Sequence, residues 1–138
     1  FGWDEVHVEA ERMEHAMSDE FTDRLARYLG QPSFDPHGDP IPRSDGSLPD
    51  SPATPLSAVP VGSTFRVSRV LAQDGETLSY LAGLGIEPGC EVRVAGTEPT
   101  GRLLRVVQVG GPHRRPGSGT EFAVSSELAE AILGEARP

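Results

Sequence analysis

The chain has 138 residues, room for one ordinary domain or two small ones, and its 16 Gly and 13 Pro assign much of that length to turns and linkers. Twenty-one acids oppose 12 bases, all of them Arg, and the net charge of −9 leaves no basic segment, which argues against a nucleic-acid surface on these residues. A single Cys excludes a disulfide framework and a thiolate zinc site. No apolar run approaches the ~20 residues of a membrane span and no signal peptide is evident, so an intracellular, cytoplasmic protein is expected.

The opening Phe1-Gly2-Trp3 lacks an initiator Met and reads as the C-terminal part of a longer protein. Asp4 can cap a first helix running to about Met17. Ser18-Asp19-Glu20 then starts a second, with Phe21, Leu25, Tyr28 and Leu29 at helical spacing and Gly30 as its C-cap. Residues 1–34 are therefore expected to form a helical hairpin. Residues 35–62 read as a Pro-rich linker, since 8 of the 13 prolines fall between residues 31 and 62 without any apolar period. Its first stretch, Phe34 to Pro42, carries more specific turn chemistry than the rest.

From residue 63 onward the pattern alternates. Thr64–Leu71, Glu91–Ala95, Arg102–Val109 and Thr120–Val124 read as strands, and Glu76–Ala82 as one or two helical turns. A last helix is expected from Ser125/Ser126 through Leu128, Ala129, Ile132 and Leu133. Short antiparallel strands over residues 63–138 suggest a small β-barrel, and the chain as a whole reads as α+β.

The first helix carries the chemistry. At 100° per residue, His7, Glu11, Glu14 and His15 fall within an arc of about 100° over two turns. Trp3, Val6, Ala10, Met13 and Met17 form an adjoining apolar stripe. An acid-rich helix face is ordinarily just solvated. Here the potential ligands border the face expected to be buried, and carboxylate with imidazole suits Mn(II), Fe(II) or Zn(II). Metallohydrolase motifs need a second His one turn away, which Glu11-Arg12-Met13-Glu14-His15 lacks, so no enzyme is expected.

The stretch Trp3-Asp4-Glu5-Val6-His7-Val8-Glu9-Ala10-Glu11-Arg12-Met13-Glu14-His15-Ala16-Met17-Ser18-Asp19-Glu20 closely resembles the dimerisation region of the diphtheria-toxin-repressor family of metal-dependent transcriptional repressors. Asp35-Pro36-His37-Gly38-Asp39-Pro40-Ile41-Pro42 is similar to the family's next segment, and Tyr80 to Val92 resembles the signature of its SH3-like, FeoA-type domain. The resemblance implies that Glu11, Glu14 and His15 are ligands of the primary, regulatory metal site, and that His7 belongs to an ancillary one. Glu11 stands where iron regulators of the family carry Cys, which favours Mn(II) slightly over Fe(II). Barrel ligands of the ancillary site would fall at Arg69 and Ala72, which cannot ligate; Gln73 or Asp74 are the nearest substitutes.

The mechanism implied is a metal-gated switch in a homodimer that reads operator DNA only through the family's winged-helix N-terminal domain, absent from this sequence. Trp3, Val6, Met13, Met17, Phe21 and Leu25 are the expected dimer contact. His37 reads as a loop residue and Cys90 as a packed, inert thiol. His113-Arg114-Arg115 supplies too few charges for a nucleic-acid patch. The Pro-rich segment could dock on the SH3-like domain, with Phe65, Tyr80 and Phe122 available to line a groove. The competing expectation is a protein-interaction module with an FeoA-like domain and no regulatory metal.

Overall fold

The structure, a computed structural model, describes residues 1–52, 54–112, 119 and 121–137. Helix α1 spans Val6–Glu14 and α2 spans Asp19–Tyr28. Asp4 does not cap α1: the N-cap is Glu5, without a side-chain hydrogen bond, and the helix enters from a turn in which Val6 N donates to the Gly2 carbonyl (2.9 Å). It also ends earlier than expected, with His15 as its C-cap. Between the helices Ser18 turns to an extended conformation (ψ 156°) and accepts from Phe21 N through its hydroxyl (3.2 Å), the N-cap that its sequence context predicts. Gly30 follows α2 in the left-handed region (φ 81°), and Gln31 N closes the end on the Ala26 carbonyl (2.7 Å). Neither helix contains a buried residue, so the chain alone does not form a hairpin core.

The rest is a six-stranded, wholly antiparallel sheet in the order β1-β6-β2-β3-β4-β5. The strands are β1 (Thr54–Pro55), β2 (Thr64–Val70), β3 (Glu91–Thr97), β4 (Leu103–Gly110), β5 (Glu121–Ser125) and β6 (Ile132–Arg137). Helices α3 (Gly75–Leu84) and α4 (Ser126–Glu130) connect them. Alternation along β2, β3 and β4 turns Phe65, Val67, Val92, Val94, Leu104 and Val106 inward. Leu78 and Leu81 of α3, Ile86, Ala129 and Ile132 complete the core. Gln108, whose side-chain amide is buried, donates to the Gly85 carbonyl (3.1 Å), and Gly85 is the left-handed C-cap (φ 75°) of α3.

Three expectations need correction. Ile132 and Leu133 do not extend the last helix; α4 stops after five residues, and both belong to β6, where they pair with Val70 and Arg69 of β2. The β-branched Ile132 is fully buried, and Gly134 lets β6 approach Arg66 so closely that a Cβ would overlap its carbonyl oxygen. The second correction concerns residues 35–62, which are not uniformly linker. Thr54 and Pro55 pair with β6, Leu56 is fully buried in a 3-10 turn against the core, and Phe34 bridges Pro40 at the other end. Single apolar residues between prolines carry no period, so burial of this kind leaves no pattern. Third, Phe65 cannot line a peptide groove, because it is wholly inside. The motif His113-Arg114-Arg115 and residue Thr120 lie outside the described residues.

Cys90 is buried as expected, and burial pushes its thiol from the usual 9.0 up to about 11. The unfolded chain deprotonates first, so this contribution is fully present below pH 9 and declines as the pH rises toward 11. We expect unfolding free energy to fall over that window by up to about 2 kcal/mol, at ~1.4 kcal/mol per pKa unit. A Cys90→Ala variant would lack that slope; an equal slope in both proteins would refute the assignment.

Candidate metal centre

On α1 the side chains of Glu11, Glu14 and His15 are exposed, and none engages in a hydrogen bond or ion pair among the described residues. Their neighbour Arg12 is drawn away from them, reaching back to Glu9 (2.6 Å). Glu14 closes the helix and His15 follows as its C-cap with helical dihedrals (φ −68°, ψ −16°), so the one-face relation of Glu11, Glu14 and His15 survives the early helix end. Two carboxylates and one imidazole are a chemically suitable donor set for a divalent transition ion. Among the described residues, however, no three His, Cys, Asp or Glu side chains converge on one point. The set is open, as a site needing further ligands would be.

His7 is placed differently. It is half-buried, and its ring stands edge-on to that of His37 (centroids 6.1 Å apart). His37, expected as a plain loop residue, is 3% exposed. Its Nε2 lies 2.6 Å from the Trp3 carbonyl oxygen, and because a carbonyl only accepts, this nitrogen carries the hydrogen. The Trp3 indole packs on the His37 ring (5.2 Å) and against the core of the sheet. Trp3 is thus engaged by its own chain, unlike the other expected dimer residues: Met13 and Phe21 are each 50% exposed, and Val6, Met17 and Leu25 remain half-exposed.

The sheet does not bring its nominal ligands to His7. Arg69 pairs with Asp39, and Gln73 reaches the same carboxylate (3.5 Å). Asp74 is the N-cap of α3: its Oδ1 accepts from Thr77 N (2.8 Å), and that bond holds its carboxyl below the usual carboxylate range. The residues that spacing on the helix could not reveal are Asp35, His37, Asp39 and Arg69. Their only signal is the turn chemistry of Asp35–Asp39, in which the Asp35 carboxylate accepts from the backbone of His37 and Asp39, both at 2.8 Å.

The described residues thus form a two-part chain, a helical segment presenting unpaired carboxylates and an imidazole followed by a small sheet domain. Residues 1–43 match the family described as iron dependent repressor, metal binding and dimerisation domain, and residues 54–136 match the FeoA domain. The iron-dependent repressor IdeR of Mycobacterium leprae is 31% identical over 117 residues, 76% of this chain and 50% of that protein. The diphtheria toxin repressor of Corynebacterium efficiens is 36% identical over 109 residues, 72% of this chain and 46% of that protein. A manganese-dependent transcriptional repressor solved in complex with manganese superposes with a TM-score of 0.83 at 37% identity, covering 97% of this chain and 60% of that one. The chain belongs to the diphtheria-toxin-repressor family and matches the C-terminal part of its members. It spans about half the length of the curated relatives it matches.

Proposed function

We propose that this chain is the metal-sensing and dimerising part of a metal-dependent transcriptional repressor. The observation that carries the reading is the trio Glu11, Glu14 and His15: one helix face, no internal partner, within the segment that matches a metal-binding and dimerisation domain. A bound divalent ion supplies a compact double charge that cross-links elements which otherwise move apart. Glu11 and Glu14 contribute negative charge, and His15 contributes a neutral nitrogen donor. The set is completed by groups outside these three. With two carboxylates and no thiolate, Mn(II) is favoured slightly over Fe(II). His7 serves an ancillary position.

The partner is a second copy, held through Val6, Met13, Met17, Phe21 and Leu25, with Trp3 facing the sheet instead. Regulation is differential binding: the ion favours one arrangement of the two copies over the others. Operator contact is assigned to a winged-helix domain of the family and not to these acidic residues. The Pro-rich segment is proposed to lie against the sheet at Asp50–Pro52, which share a hollow with Arg66, Val67 and Ser68.

Calorimetric titration with Mn(II), Fe(II) and Co(II) tests the reading. We expect saturable binding that the Glu11→Ala/Glu14→Ala/His15→Ala variant loses by a factor of a hundred or more, about 3 kcal/mol. Identical titrations would instead favour an interaction module without regulatory metal.

A further inference from the structure

A hollow of about 470 Å³ lies between the first turns of α3 and α4, and it shares no residue with the hollow at Asp50–Pro52. Its floor is apolar. Ala72 and Leu128 line it while packing against the core of the sheet, so the core fixes the floor in place. Ser125 accepts from Leu128 N (3.1 Å) and holds α4 at the edge of the hollow. Tyr80 of α3 lines the same space and is 51% exposed, a large aromatic surface that the chain leaves half uncovered.

The rim is acidic. Glu76 of α3 and Glu127 of α4 are both exposed, and neither makes a hydrogen bond or ion pair among the described residues. No Arg or His among the described residues lines the hollow. Each glutamate lies in the first turn of its helix, where the helix dipole alone would account for it. The dipole contributes about half a positive charge per helix start, however, and the two carboxylates exceed that. The space is therefore negative around an apolar floor, a combination that repels phosphate and anionic headgroups. It matches a side chain that carries a cation on an apolar stem. The methylenes of Arg or Lys cover the floor, the head reaches the carboxylates, and the Tyr80 ring face attracts the same charge.

We propose that the hollow between α3 and α4 is a docking groove for a basic segment of another protein, an Arg or Lys flanked by apolar residues. Glu76 and Glu127 select the cation, and Tyr80, Leu128 and Ala72 take the apolar part. A Pro-rich segment without a base leaves both carboxylates unanswered, and this chain's own Pro52 lines the other hollow. The groove belongs to the sheet domain alone, so failure of the metal titrations would leave it standing.

Panning a phage-displayed random peptide library on the full chain tests the proposal. We expect the selected peptides to carry Arg or Lys beside Leu, Ile or an aromatic residue. The synthetic peptide should shift the amide resonances of Thr77, Tyr80 and Leu128 and bind more weakly as salt rises. Glu76→Gln/Glu127→Gln alters two exposed side chains and should weaken binding about tenfold, with the circular dichroism of the sheet unchanged. Tyr80→Ala should weaken it comparably, and so should citrulline in place of the peptide's Arg, which removes the charge and keeps the shape. The proposal is overturned if the library yields no converged sequence, if the selected peptides lack a base, or if the variants bind them as the unaltered chain does. It also falls if Tyr80→Ala lowers the oligomeric state in sedimentation, because a second copy would then be the occupant.

Discussion

Phe21→Asp is expected to turn a dimer of this chain into a monomer at micromolar concentration. Phe21 is 50% exposed on α2, one turn before Leu25, and Met13 of α1 is equally exposed. No residue of either helix is buried by the chain itself, so the apolar faces are satisfied only by association. Burying such a side chain contributes about 1.5–3 kcal/mol, and in a two-fold interface each substitution acts twice, so Phe21→Ala alone should weaken the dimer by ~10²–10⁴. Asp adds the cost of burying a charge. Residues 1–30 hold 8 acids against 3 Arg, so two copies repel and the dimer should tighten as salt rises, opposite to an interface held by ion pairs. Sedimentation equilibrium of the two proteins checks this; a Phe21→Asp variant that stays dimeric would place the interface elsewhere.

The second large effect lies in the sheet. Phe65 is fully buried near the start of β2, paired with Val92 on one side and Ala136 on the other. Its ring covers Gly134, where a Cβ would come within 2.8 Å of Cζ. Phe65→Ala removes that filling and leaves a cavity that neighbouring strands cannot close, at a cost of ~3–5 kcal/mol. Against a typical total of about 5–15 kcal/mol, this leaves the sheet domain marginal. Urea denaturation should show a much lower midpoint with an unchanged slope. A loss below about 1 kcal/mol would mean that the core can repack around the site.

Much of the architecture was legible along the chain because it is written in local patterns. Ser18 with two acids behind it predicts the start of α2, and Gly30 predicts its end. Alternation through Phe65, Val67, Val92 and Val94 predicts β2 and β3. The grouping of Glu11, Glu14 and His15 follows from helical geometry alone, and the structure leaves those side chains exposed and unpaired.

What failed was whatever depends on a distant partner. Ile132 and Leu133 continue a helical spacing from Leu128 and Ala129, yet they become strand because β2 offers open hydrogen-bonding groups beside them. Helix propensity differs by less than about 1 kcal/mol per residue and cannot resist a full ladder. Leu56 lies among prolines and has no period to reveal it, but the core has a place for it. His37 is the sharpest case. Its local context is that of a turn, and its burial comes from Trp3, 34 residues away in sequence.

By itself, the sequence determined which residues share a helix face, where α2 begins and ends, and that these residues carry no basic surface. Only the tertiary structure decided that Trp3 faces the sheet, that Arg69 is held by Asp39, and that Leu56 is buried in the core. The reason is physical: facing and capping within one turn are set by covalent geometry, whereas a long-range contact is chosen by competition among all surfaces the folded chain presents.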